Sequence, residues 1–508
     1  MSVRKITRAL ISVFYKDNLE PLVRLLGNHG VEFISTGGTQ EFIEKLGFSV
    51  TPVEKLTGFP SIFGGRVKTL HPAIFGGILY RRDDNKDVNQ AKEFNIGPID
   101  LVIVDLYPFE ETVANGNDEG AVIEKIDIGG ISLIRGAAKN FKDVLVVSSR
   151  RQYEEVHQLL QTNNCTTTVG DRKKFAALAF DNTSHYDSAI FNYFNREFQI
   201  PSYKKSIQGG RTLRYGENPH QKGTYYGNLE GLFEQLHGKE LSYNNLVDID
   251  AAVNLLHEFG DEHAFVIIKH TNACGAATGA SVKDAYIKAF QADTISAFGG
   301  VLATNKTLDL PAAEEINKLF FEILIAPAYT EEALTLLRNK KNRMLLLQKA
   351  KPSEVKQAKT ILNGIIEQDL DLKTDAREDL NVMTKKVPGP SEINALLFAS
   401  KICKHTKSNT IVLAVEGQLL ASGVGQTSRV DALKQAIEKA TAFGFSLHGA
   451  VMASDAFFPF PDCVEIASQH GISAVIQPGG SVKDQESINF CDQHNMSMVF
   501  TGIRHFKH

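Results

Sequence analysis

Short apolar runs alternate along residues 1–200 with stretches whose apolar positions recur at helical spacing. Residues 9–14, 31–35, 49–53, 101–105 and 144–147 read as strands. Residues 19–28, 40–46, 119–125 and 131–140 read as helices, with Gly30 and Gly47 stopping the first two. Such alternation predicts a mostly parallel, doubly wound α/β sheet. A helical pattern over 172–198 closes this segment, and 201–210 (PSYKKSIQGG) has the composition of a linker. Beyond Arg211 the pattern is mixed. Strands are expected at 265–268 and 300–303, helices at 250–258, 282–291, 310–321 and 330–337, and a charged stretch at 369–379 suits an inter-domain bridge. After Pro388-Gly389-Pro390 another α/β unit begins, with helix 391–403, strand 410–415, helix 429–442 and strands 451–453 and 474–477. The order of elements after residue 211 hints at duplicated units. We expect three domains, 1–200, 201–385 and 386–508.

A chain of 508 residues is too long for one core. With 43% hydrophobic and 22% charged residues it has the composition of an ordinary soluble protein. The 55 basic and 59 acidic residues are interspersed and the net charge is −4. That excludes a broad nucleic-acid-binding face, so anion recognition should be local. Five scattered cysteines without a CxxC argue against a disulfide framework and a zinc cluster. No apolar run reaches the ~18–20 residues of a membrane span. Basic residues precede the apolar run 9–14, but Tyr15-Lys16-Asp17 follows with no small-residue cleavage site, so the run reads as a first strand and a cytoplasmic location is expected.

Within 264–275, AFVIIKHTNACG, an apolar β-branched run ends in Lys269-His270 and a small-residue turn follows. Ligands of open α/β sheets bind beyond strand ends. A cation beside an imidazole favours its neutral form, which a general base needs. A solvated strand end fits the same residues. Ser35-Thr36-Gly37-Gly38-Thr39 lies between a strand and a helix, where backbone N–H groups can meet a phosphate, or simply make a tight turn. Gly64–Pro72 (GGRVKTLHP) adds Arg66, Lys68 and Thr69, a phosphate-holding combination. Tyr107, Asp127 and Lys139, with Lys68, offer a phenol, a carboxylate and two ammonium groups, a set suited to ring closure with loss of water and needing no metal. Each of those residues alone would also serve as a core edge, a cap or a helix-end charge. After the linker, Arg214 would suit a phosphate and Tyr215 a flat heterocycle.

GGRVKTLHP, DLYPF, IDIGG, LRYGENPH, IIKHTNACG, SAFGG, GQTSR, SDAFFPF and RHFKH occur in order across nearly the whole chain. In this the sequence resembles the bifunctional family in which AICAR formyltransferase is fused to IMP cyclohydrolase. The resemblance implies an N-terminal methylglyoxal-synthase-like unit carrying the cyclohydrolase. Two cytidine-deaminase-like α/β domains without zinc would carry the formyltransferase, since the HxE and PCxxC signature is absent. It implies that His270 accepts the amine proton and Lys269 steadies the developing charge, with 10-formyltetrahydrofolate as co-substrate. Lys68, Tyr107, Asp127 and Lys139 would close the ring. Lys16, Thr36, Gly37, Gly38, Thr39, Arg66, Val67 and Thr69 would bind the cyclohydrolase nucleotide. Arg214, Tyr215, Gly299, Glu322, Asn409 and Arg429 would hold the formyltransferase ribonucleotide, and Val430, Phe457, Asp462, Ser481 and Arg504 the folate. It also implies a homodimer with shared formyltransferase sites, acting on AICAR, FAICAR, IMP and folate and on neither nucleic acid nor membrane. The chain departs from the family pattern at Tyr15, Ala273, Glu322 and Pro461, and in a shorter loop before Gln426. A phosphate lyase confined to the N-terminal unit and a non-catalytic nucleotide sensor are the competing readings.

Overall fold

The computed structural model describes residues 3–508. The chain divides into two compact units, Met1–Gly209 and Gly210–His508. The first is built on a wholly parallel five-stranded sheet in the order Val50–Pro52, Glu32–Ser35, Arg8–Ser12, Leu101–Val104, Leu145–Val147. Alternate residues of each strand enter opposite cores. Ala9, Ile11, Leu101 and Ile103 pack with Leu22, Leu26 and Val156, whereas Leu10, Val102 and Val104 pack with Ile74, Ile78 and Leu133. From the central strand Arg8–Ser12 the chain winds outward one way and then crosses to Leu101–Val104 on the other side. The crevice beyond Ser12 and Val104 is therefore a topological switch point, where such sheets bind ligands.

The second unit holds a twelve-stranded sheet. One half runs Phe233–His237, Met344–Gln348, Ile323–Ala326, Val301–Thr304, His263–Lys269, Asn272–Gly279. The other continues Gln418–Gly423, Ile411–Val415, Val451–Ser454, Ala474–Gln477, Ser497–Phe500, Asn381–Val382. The halves repeat one plan: a helix, a hairpin, a second helix, three parallel strands and an antiparallel edge. They join where Ala277 pairs with Gln418. The two α/β domains expected after residue 201 thus share one continuous sheet. On one face a single core runs through both halves, under the helices Tyr243–His257 and Pro390–His405.

The joining strand Asn272–Gly279 (NACGAATG) is poor in large side chains and reads as a small-residue turn, and its partner Gln418–Gly423 ends in Ala-Ser-Gly. Their smallness has a steric cause. A Cβ on Gly275 would overlap Ala289 O, and one on Gly423 would overlap Ala432 O, each in the helix that lies against the strand. The helix expected over 310–321 ends at Ile316. Beyond it the buried Arg343 guanidinium binds Asn317 Oδ1, Asn317 O and Leu319 O, giving those carbonyls partners outside a helix. The helix expected from 250 starts at Tyr243, because Ser242 and Asn245 form a capping box there.

Candidate active sites

In the first unit the chain leaves each strand towards one crevice. Helix Gly37–Lys45 starts at the Gly37–Gly38 turn, and two ammonium groups converge on it. Lys68 Nζ lies 4.0 Å from the position a Cβ would take on Gly37, and Lys16 Nζ 3.9 Å from that on Gly38. Two cations at the open N–H groups of a helix start form an anion cradle. Lys16 Nζ is steered by Val13 O and Phe14 O, both at 2.9 Å. The Thr39 hydroxyl is not free for a ligand, since it donates to Val13 O and accepts from Val13 N–H. Thr36 is buried beside Ser12, Val67 bridges Ile62, and Arg66 pairs with Glu124. Thr69 Oγ1 lies 3.1 Å from the Cβ position of Gly129, carrying this loop to the start of helix Gly129–Lys139.

Tyr107 stands half out of the crevice, edge-on to Phe14 at 5.6 Å between centroids. Burial, together with Asp127 and Asp105, pushes its phenol up. Asp127 Oδ1 accepts from Gly130 N–H at 2.6 Å, and burial pushes its carboxyl up. Lys139 does not join them. It closes the helix whose first turn Asp127 holds, about 15 Å away along the axis at 1.5 Å per residue. The ammonium over the Tyr107 ring is that of Lys125, 5.8 Å from its centroid and 5.0 Å from that of Phe14. Asp105, absent from the sequence expectations, directly follows strand Leu101–Val104 and accepts from the N–H groups of Phe14 and Tyr15.

In the second unit the strand directions decide the geometry. His263–Lys269 ends where Val301–Thr304 and Ile323–Ala326 begin, where Ile411–Val415 begins, and where Gln418–Gly423, Val451–Ser454, Ala474–Gln477 and Ser497–Phe500 end. One end of the sheet therefore carries Lys269, His270, Gly299, Glu322, Asn409, Arg429, Val430, Phe457, Asp462, Ser481 and Arg504. For the first half these are the amino ends of the parallel strands, opposite to the usual carboxyl-end site. Lys269 Nζ donates to Phe298 O at 2.8 Å and to Gly299 O at 3.2 Å. Exposed His270 occupies a two-residue turn. Asn245 Nδ2 donates to Glu322 Oε2 at 2.9 Å. The Arg214 guanidinium lies 4.9 Å over the Tyr215 ring, and their loop is tied to the start of helix Tyr243–His257 by Asn244 Nδ2 to Glu217 O.

Asn272 Oδ1 accepts from Lys407 N–H at 3.1 Å, so the His270 turn reaches the Asn409 segment. The C-terminal residues fold back onto that segment, with Ser408 N–H to Lys507 O at 2.9 Å and His505 N–H to Asp455 O at 3.0 Å. Phe506 then takes the guanidinium groups of Arg504 at 4.3 Å and Arg429 at 5.8 Å. Phe457, Asp462 and Ser481 lie farther off. At 4.7–4.9 Å per strand, Val451–Ser454 is about 19 Å across the sheet from His263–Lys269. Asp248, another residue the sequence did not single out, accepts from Thr271 N–H at 2.7 Å.

A family described as MGS-like domain matches residues 18–132, and one described as AICARFT/IMPCHase bienzyme matches residues 137–439. A protein of Bacteroides thetaiotaomicron, "Bifunctional purine biosynthesis protein PurH", is 57% identical over 505 residues, 99% of each chain. Proteins of the same description from Aquifex aeolicus and Chlorobium chlorochromatii are 46% identical over 510 residues and 47% identical over 524, covering 99% and 100% of this chain and all of the relative. Similarity of this extent reaches both units and every motif described above: the chain belongs to the AICARFT/IMPCHase bienzyme family.

Proposed function

We propose that the chain catalyses the last two steps of IMP formation, formyl transfer in Gly210–His508 and ring closure in Met1–Gly209. In the first step the AICAR amine attacks the formyl carbon of 10-formyltetrahydrofolate. His270 takes the amine proton and Lys269 steadies the oxyanion. The N10–formyl bond breaks, and tetrahydrofolate leaves with a proton. In the second step a carboxamide nitrogen of FAICAR attacks the new formyl carbon, and water leaves to give IMP. Lys16, Lys68 and the Thr36–Thr39 turn hold the phosphate there, while Tyr107 and Asp127 exchange protons. The single observation that carries the formyl-transfer reading is the exposed His270 beside Lys269 at the sheet end shared with Asn409, Arg429 and Arg504. The remaining assignments, Arg214, Tyr215, Gly299 and Glu322 to the ribonucleotide and Val430, Phe457, Asp462 and Ser481 to folate, rest on family resemblance and on this common end. Lys139 has no part in the ring closure we draw.

The ~19 Å between the His270 strand and the Phe457 strand favours a formyltransferase site completed by a second copy. Ile295, Phe298 and Phe320 expose apolar surface beside Lys269 that such a copy would cover. We therefore infer a homodimer, and the five free, buried cysteines support a reducing, cytoplasmic setting for it. Incubation with AICAR and formylated folate should yield IMP and tetrahydrofolate. His270→Ala should lower formyl transfer at least ~10²-fold, the low end for a general base, and leave cyclisation of supplied FAICAR intact. Lys68→Ala should do the reverse. Near-normal transfer by the His270 variant would remove it from its role.

A further inference from the structure

His270 and Thr271 are the whole of the turn between His263–Lys269 and Asn272–Gly279, and both adopt left-handed backbones, with φ of 50° and 64°. Two-residue hairpins of this kind favour Asn-Gly, and a β-branched residue at positive φ is strained. The matching turn of the other half is Glu416-Gly417, and there a glycine takes the positive φ of 71°. The half carrying the imidazole gives up that glycine. Strain of this kind persists only where the surroundings over-determine it.

The restraint is visible. Asp248 Oδ1, on helix Tyr243–His257, accepts from Thr271 N–H at 2.7 Å, a charge-assisted bond at the most strained residue. Asn272 Nδ2 and Thr271 Oγ1 both donate to His270 O, at 2.8 and 2.6 Å, and close the turn locally. The same helix reaches the site a second time, through Asn245 on Glu322. Asp248 is half-buried, next to Lys269 and His270, yet it makes no contact that gives it a direct role in the transfer.

We propose that Asp248 is a positioning residue for formyl transfer. Its carboxylate anchors Thr271 N–H, holds the His270-Thr271 turn in the left-handed form, and so aims the imidazole at the amine. This rests on the reading of His270 as proton acceptor. The test uses the full-length chain and assays both reactions. Asp248→Ala should lower kcat for formyl transfer about 10- to 100-fold, the range of a small misplacement of a reacting group. Its KM for AICAR should change little, and its ring closure should match the parent. Asp248→Asn keeps an acceptor oxygen and should fall between parent and Asp248→Ala. Adding Thr271→Gly to Asp248→Ala should restore most of the lost kcat, because glycine adopts the left-handed backbone without an anchor. A merely structural defect would not be rescued in that way. Parent-like kcat in Asp248→Ala, or a deficit that glycine at 271 does not reduce, overturns the proposal. Transfer that survives His270→Ala overturns the underlying reading instead, so the two failures are separable.

Discussion

Asp105 is one carboxyl doing two jobs at the switch point of the N-terminal sheet. It receives the N–H groups of Phe14 and Tyr15, and the loop shaped in that way returns Lys16 Nζ to the Gly37–Gly38 turn. Burial pushes its carboxyl up, and those two N–H groups and Lys16 oppose the shift. Because Lys16 binds rather than reacts, Asp105→Ala should raise KM for FAICAR more than it lowers kcat. The expected size is about tenfold in KM, the order of one lost charge-assisted contact; steady-state cyclisation kinetics measure it, and formyl transfer in the same protein should not change. At this scale legibility depended on position. Lys269 and His270 could be picked out because they end an apolar strand, and Asp105 ends one in the same way within LVIVDLYPF. Asp248 could not, being one of several polar residues on an amphipathic helix, and its partner is a backbone N–H that has no sequence signature.

Elements were legible where large apolar residues mark the period and a hydroxyl caps the start. Helices Val282–Gln291 and Arg429–Ala442 fall where the sequence puts them, behind Ser281 and Ser428, each accepting from the N–H of the third helical residue. Strand Asn272–Gly279 hides because helix backbone lies directly on Gly275, and its small side chains do not spell out a strand. Gly275→Ala should therefore destabilise the second unit by ~1–3 kcal/mol, the cost of overpacking, seen as a lowered melting temperature. Gly364, in the exposed hairpin strand Gly364–Asp369, has open space about it, so Gly364→Ala should leave the melting temperature within error of the parent. Equal effects at both glycines would refute the close-packing account.

The two halves of the second unit are tied by a buried ionic knot that no local pattern announces, because its members are 146 and 147 residues apart in sequence. Glu258, at the end of helix Tyr243–His257, accepts from Lys404 Nζ at 2.7 Å and lies 2.9 Å from His405 Nε2, both at the end of helix Pro390–His405. The Thr374 hydroxyl, from the charged stretch between the halves, donates to its second oxygen. Burial alone would push the Glu258 carboxyl up, but the hydrogen bonds from His405, Lys404 and Thr374 outweigh it and hold the group at about 2. Burial also holds His405 below its ordinary range. A carboxyl depressed in the folded state stabilises it fully above its unfolded value, near 4.3, and that stability is lost as pH falls towards 2. The contribution at neutral pH is on the order of 2–3 kcal/mol. Glu258→Gln should thus be less stable than the parent at pH 7, and the gap should narrow steadily between pH 5 and about 2. Chemical denaturation across that range, followed by a probe in the second unit, reads the gap directly. A gap that stays constant with pH would mean that Glu258 serves by packing and hydrogen bonding alone, and that its charge does not hold the halves together.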